Sequence, residues 1–153
     1  MFSTIGYIHL FFSILAMITG LVVIFKTKGT KTHKKIGYVY VASMLLLNLT
    51  SFFISNFDGF SIFHFFAIVS LVTIFAGMYP VLKKSKNWIY RHYHFMSWSV
   101  VGLYCAFWSE VGTRFVKNMQ DFWWAVAIAT FLTAFVGAYF INKNAKKLIK
   151  PYV

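Results

Sequence analysis

Apolar residues are grouped in five long runs along the chain, and short polar connections separate them. The runs lie at about 2–25, 36–57, 60–82, 95–116 and 122–141. Each run has the roughly 20 residues that a helix needs to cross a bilayer. Asp58-Gly59, between the second and third runs, predicts a tight helical hairpin. The pattern predicts an all-α integral membrane helical bundle with five transmembrane helices, in a single domain covering residues 1–153.

Composition and charge placement support this class and give the bundle an orientation. The chain is 59% hydrophobic and 12% charged, which is too apolar for a soluble domain of 153 residues. The net charge of +12 lies mostly in alternate connections, 26–35 and 83–94, and in the tail after residue 141. Such alternation predicts an outside N-terminus and a cytoplasmic C-terminus. The lipid bilayer is therefore the expected partner, and nucleic acid is not.

Four of the five runs carry a strip of small and polar residues at helical spacing. The strips are His9, Ser13, Ala16 and Gly20; His33, Gly37, Tyr40, Met44 and Asn48; His64, Ala67, Ser70 and Gly77; and His92, Met96, Ser99, Leu103, Ala106, Glu110 and Arg114. The fifth run has no ionisable residue in its middle and begins with the aromatic segment 122–124. We therefore expect a four-helix core with the fifth helix at its periphery.

The histidines fall at two depths. With helices running in alternate directions, His9, His64 and Glu110 come within roughly 6–12 Å of the outer surface at 1.5 Å of rise per residue. His33 and His92 open the second and fourth helices, at the inner surface. His94 is turned away from the face of His92. The arrangement predicts one outer and one inner histidine pair.

Paired histidines on different helices are typical of b-type haem in a helix bundle, where two imidazoles bind one iron. The preferred hypothesis is an integral membrane redox protein that holds haem b through His9 with His64 and through His33 with His92. Electrons would pass to or from a quinone or another small redox partner. Tyr40 and Asn48 would line the cavity, and Arg114 with Glu110 would shape the outer pocket. If the chain is an enzyme, it is then a membrane oxidoreductase.

Other interpretations of the same residues stay open. His9, His64 and Glu110 form the ligand set of a non-haem zinc or iron site, which would fit an oxidoreductase or a hydrolase. Glu110 and the histidines could instead relay protons or ions in a small transporter. Glu110 and Arg114 are four residues apart, the spacing of a helical ion pair. Histidines among lysines, such as His33, are also common where a helix meets lipid headgroups.

Three local patterns together resemble an uncharacterised prokaryotic family described only as predicted membrane proteins. They are His33-x-x-x-Gly37-x-x-Tyr40-Val41, Phe63-His64, and His92-x-x-x-Met96 with Arg114 at the end of the same run. With His9 and Gly20, the resemblance covers roughly residues 5–115 and leaves the fifth run aside. It implies a multi-pass protein of the prokaryotic plasma membrane. The four-histidine layout also resembles, more remotely, di-haem b561-type cytochromes, although the inner histidines here stand at helix starts.

Overall fold

The computed structural model describes residues 4–54 and 62–149. Within these ranges the chain forms five α-helices and no β-strand, which confirms the all-α prediction. The helices are α1 (Thr4–Phe25), α2 (Lys31–Ser51), α3 (Ile62–Lys83), α4 (Trp88–Thr113) and α5 (Met119–Ile149).

The helix boundaries differ from the apolar runs where a helix begins or ends with polar residues. α2 begins at Lys31 instead of 36, because Thr30 caps it by accepting a 3.1 Å hydrogen bond from the His33 backbone N–H. α4 begins at Trp88 instead of 95, directly after Asn87, whose φ is 59°. α5 continues past the predicted end at 141, to Ile149. α2 ends at Ser51, and the predicted turn at Asp58-Gly59 lies outside the described residues.

Three helices are long and apolar enough to cross a bilayer: α1, α3 and the Met119–Lys146 part of α5. The chain is therefore a multi-pass membrane protein. α2 and α4 begin with basic and polar residues, Lys31 to Lys35 in α2 and Arg91 to His94 in α4, which lower their average hydropathy. That these two helices also cross the bilayer stays a prediction.

The helices form two compact units, Met1–Phe75 and Ala76–Val153. In the N-terminal unit, α1 packs along α2. Residues of both strips of small and polar residues are buried in this unit: Ala16 and Gly20 on α1, and Tyr40, Met44 and Asn48 on α2. The predicted faces of these helices are thus confirmed as buried faces.

A hydrogen bond joins α2 to the first part of α3. Asn48 Nδ2 donates to Ser70 Oγ over 3.0 Å and to the Met44 carbonyl over 2.7 Å. Asn48 retains only 6% of its surface exposed. A buried amide without partners is costly in an apolar interior, so this pair stabilises α3 against α2.

In the C-terminal unit, α4 packs antiparallel to α5 along most of its length. Tyr93 Oη donates to the Ile141 carbonyl over 2.8 Å near one end, and Ser109 Oγ lies 3.3 Å from Thr130 Oγ1 near the other. Between them the helices approach closely, because Gly137 has no side chain. A Cβ at Gly137 would lie 2.5 Å from Val101 Cγ2.

Most other hydroxyl groups in the helices donate to a carbonyl of their own helix one turn earlier. Thr19 donates to Leu15 over 2.6 Å, Ser43 to Val39 over 2.8 Å, and Thr73 to Val69 over 2.7 Å. These bonds satisfy a polar group in an environment without water and need no partner on another helix.

Lys28 closes the C-terminus of α1. Its ammonium donates to the carbonyls of Val23 and Ile24 over 2.9 and 2.7 Å, two of the carbonyls that a helix end leaves without an amide partner. Burial lowers the pKa of this ammonium. Lys28 therefore has a structural role in addition to its place in a basic connection.

Gly137→Ala should loosen the contact between α4 and α5. Val101 is β-branched and cannot move its methyl groups away by a simple rotation, so overpacking should cost about 1–3 kcal/mol of unfolding free energy. Cys105, the sole cysteine, lies at this contact with Sγ 3.6 Å from the Thr130 carbonyl. Its reaction with a thiol-specific dye on heating should begin at lower temperature than in the wild type.

Gly102→Ala is the matched control for this change. A Cβ at Gly102 meets no atom within 4 Å, so alanine should leave the dye-reaction midpoint unchanged or raise it slightly. Equal midpoints for the two alanine variants would contradict the close approach at Gly137.

Lys28→Met should lower the thermal unfolding midpoint, because two carbonyls at the end of α1 lose their donor. The expected cost is about 0.5–1 kcal/mol. Lys26→Met removes the same charge from the same connection at an exposed position and should change the midpoint less. Fluorescence-detected unfolding of both variants in one detergent makes the comparison; a larger effect at Lys26 would refute the capping role.

Candidate functional site

His9 contacts the last turn of α2, and His64 contacts Phe52, the residue that directly follows this helix. His9 lies on α1, with Nδ1 3.1 Å from Thr50 Oγ1. His64 lies on α3, 7% exposed, and its ring stacks on Phe52 with a centroid distance of 5.7 Å and an interplanar angle of 15°. The structure therefore brings the two histidines of the predicted outer pair to one short segment, residues 50–52.

The surroundings of Thr50 determine which nitrogen of His9 carries hydrogen. Thr50 Oγ1 lies 2.9 Å from the carbonyl oxygens of both Leu46 and Leu47, which can only accept. The single hydroxyl proton is directed to these carbonyls, so Thr50 Oγ1 accepts from Nδ1–H of His9. In the neutral imidazole, Nε2 then holds the lone pair, and a metal would bind through this nitrogen.

His92 has the same tautomer for a simpler reason. Its Nδ1 lies 3.1 Å from the carbonyl oxygen of Gly77 on α3, and a carbonyl cannot donate. Nδ1 therefore carries hydrogen and Nε2 the lone pair. Histidines that bind metals usually hold their other ring N–H in such a bond, which fixes the ring orientation.

Gly77 also explains the spacing His92-x-x-x-Met96. A Cβ at Gly77 would lie 2.8 Å from Met96 Sδ and 3.2 Å from Phe95 Cβ, so the absence of a side chain lets α4 approach the backbone of α3. His92 and Met96, one turn apart on α4, thus both contact Gly77. The motif has a packing role whether or not His92 binds a ligand.

His33 lies in the first turn of α2, where its backbone N–H binds the capping Thr30. His33 belongs to the N-terminal unit and His92 to the C-terminal unit. The pairing of these two histidines as an inner site stays a prediction. Tyr40, which follows two turns later on α2, is fully buried at 0% exposure.

Tyr40 and Asn48 were expected to line a cavity of the bundle. Both are buried on α2, as the strip predicted, and Asn48 uses its amide to hold α3. A cavity between them stays a prediction.

Glu110 and Arg114 form an ion pair with each other. Arg114 Nη2 lies 2.9 Å from Glu110 Oε1. The Arg114 side chain is 59% exposed and the Glu110 side chain is 64% exposed. This is the i,i+4 pair that the spacing allowed, and each charge neutralises the other. Within residues 4–54 and 62–149, no group of three or more His, Cys, Asp or Glu side chains is placed to hold a metal ion. The three-ligand site of His9, His64 and Glu110 stays a prediction.

Two contact residues were not identified from the sequence. Thr50 lies 41 positions from His9, and no periodic pattern marks it as a partner. Lys28 resembles the other lysines of its connection, and its bonds to α1 depend on how the chain leaves the helix.

No curated protein and no solved structure matches the chain. The sequence does match a family described as "Predicted membrane protein (DUF2306)" over residues 6–143. The match extends beyond the motifs in residues 5–115 and includes most of α5. The similarity to b561-type cytochromes stays a prediction. The chain belongs to the DUF2306 family of predicted membrane proteins, a family of unknown function.

Proposed function

We propose that the protein is an integral membrane redox protein that binds b-type haem through His9 and His64. It would exchange electrons with a quinone or another small redox partner within the bilayer. A bound haem would supply one-electron chemistry at its iron, and the imidazoles of His9 and His64 would be the residues that hold it.

One observation carries the proposal: both histidines contact the same short segment, residues 50–52, which covers the end of α2 and its C-cap residue. A bis-histidine site needs imidazoles from different helices at one depth, and the contacts of His9 on α1 and His64 on α3 with this segment support such a placement. The hydrogen bond from Nδ1 of His9 to Thr50 restrains the imidazole ring. It also puts the lone pair on Nε2, the nitrogen through which a metal would bind.

The donor set and its surroundings fit a haem. Two neutral imidazoles suit a low-spin iron that transfers electrons. His64 is followed one turn later by Ala67, a small residue that is also buried. Buried apolar side chains such as Leu47 would exclude water from the group.

The membrane topology is part of the same proposal. The N-terminus lies outside and the C-terminus in the cytoplasm of a prokaryotic cell, with α2 and α4 also crossing the plasma membrane. The concentration of lysines in 26–35, 83–86 and 143–147 supports this orientation. His9 and His64 are then near the outer surface. The inner pair, His33 and His92, and the four-helix core with α5 outside it stay predictions.

The first experiment is the visible spectrum of the detergent-purified protein from a host supplied with haem, oxidised and then reduced with dithionite. A Soret band with sharp reduced α and β bands would support the proposal, and elemental analysis would give iron per chain. A colourless protein that contains zinc or iron would refute it and favour the site of His9, His64 and Glu110.

His64→Ala should remove the haem that the outer pair binds. The Soret absorbance per protein should fall by roughly half if the inner pair also holds haem, and almost to zero if it does not. His94→Ala is the matched control, because His94 belongs to neither pair; its ring packs against Tyr90 instead, with centroids 4.3 Å apart. Equal spectra for the His64 variant and the wild type would exclude His64 as a ligand.

Glu110→Gln distinguishes the haem proposal from a three-ligand metal site. The substitution keeps the shape of the side chain and removes the charge that pairs with Arg114. Under the haem proposal, haem content should stay within about 20% of the wild type, since His9 and His64 are both unchanged. Metal content that falls as far as in His64→Ala would instead assign Glu110 as a ligand.

A further inference from the structure

One end of the C-terminal unit carries only positive charges among its described side chains. α4 and α5 are antiparallel, and the bond from Tyr93 Oη to the Ile141 carbonyl fixes the start of α4 beside the last third of α5. Residues before Tyr93 and residues after Ile141 therefore extend toward the same end. We call the exposed cations there the basic end: Lys83, Lys84, Lys86, Arg91, Lys143 and Lys146.

The acidic residues of this unit lie toward the opposite end. Glu110 is seventeen residues after Tyr93, roughly 26 Å along α4, and is paired with Arg114. Asp121 stands in the first turn of α5, where its carboxylate accepts from Asn118 Nδ2 over 2.7 Å. Within the described part of this unit, the basic end therefore has no carboxylate to balance it. Its charge is therefore balanced by anions from outside the described part of this unit.

The length of α5 places these cations beside a bilayer surface. Its 31 residues span roughly 46 Å, whereas the hydrocarbon core is about 30 Å thick. The apolar part ends near Ile141, and Lys143 and Lys146 follow. Lys143 Nζ lies 5.5 Å from the ring centroid of Tyr139, an aromatic residue of the type that marks the interface. The lysines of α5 therefore lie at the level of the headgroups.

Apolar side chains directly precede the cations on the same helix. Tyr139 and Phe140 are 57% and 52% exposed. A ligand that contacts both the cations and the exposed aromatic rings has a phosphate for the lysines and acyl chains for the rings. A nucleic acid or free phosphate supplies only the first of these.

We propose that the basic end binds anionic phospholipids of the adjacent leaflet. The headgroup phosphates contact Arg91, Lys143 and Lys146, and the acyl chains lie along Tyr139 and Phe140. Each basic residue near an anionic bilayer favours binding about fivefold, so the group selects anionic over zwitterionic lipid. This inference does not depend on haem or on the direction in which the chain crosses the membrane.

The test measures the lipids that the full-length protein retains. The protein is reconstituted in vesicles of equal phosphatidylglycerol and phosphatidylcholine, extracted in mild detergent and analysed by mass spectrometry. The wild type should retain phosphatidylglycerol at least about tenfold over phosphatidylcholine, and the triple change Arg91→Gln, Lys143→Gln and Lys146→Gln should lower this preference at least about fivefold. About 1 M NaCl during extraction should also weaken it, because the screening length falls to about 3 Å.

Two controls separate charge at this end from other effects. Lys143→Arg with Lys146→Arg keeps the charge and should keep the preference, whereas Lys117→Gln removes a charge near the other end of α5 and should not alter it. Protection of the Cys105 thiol in each variant shows that the contact between α4 and α5 is intact. An unselective wild type, an equally selective triple variant, or complete displacement of phosphatidylglycerol by excess inorganic phosphate or an oligonucleotide would each overturn the proposal.

Discussion

Polar groups in this protein must find their partners within the chain, because the bilayer core supplies no water. The helices satisfy their backbones internally, and most hydroxyl side chains donate to a carbonyl one turn earlier, as Ser43 does to Val39. Few polar groups are then left for contacts between helices. Those that make such contacts, including Asn48 with Ser70 and Tyr93 with Ile141, define which helix faces meet.

The same constraint explains why the histidines could serve both in helix packing and as metal ligands. His92 holds the Gly77 carbonyl, and His9 binds Thr50, so each imidazole has a structural partner at Nδ1. Histidines that bind a metal through Nε2 usually have such a bond at Nδ1. Packing and ligation are therefore compatible at these positions.

Helix number and buried faces could be predicted from the sequence because both follow from periodicity. Ala16, Gly20, Tyr40, Met44 and Asn48 are buried where the strips place them. Helix ends were less predictable, because α2 and α4 begin in polar segments where hydropathy does not indicate a helix start. The residues that mark these starts are Thr30 for α2 and Asn87 for α4. The partner of His9 could not be predicted at all. The contact between His9 and Thr50, which are 41 residues apart, depends on how α1 is rotated about its axis relative to α2. The spacing of residues along one helix gives no information on that rotation.

Both extensive helix contacts, α1 with α2 and α4 with α5, join neighbours in the chain. Contacts between adjacent segments close short loops, so they form quickly and cost little chain entropy. α1 and α2 are complete before α4 and α5 have been synthesised, and a helix pair can bury its polar strip as soon as its second member emerges. The order of synthesis thus favours assembly in two hairpins. Polar residues such as Asn48 then spend little time facing lipid while the rest of the chain is being made.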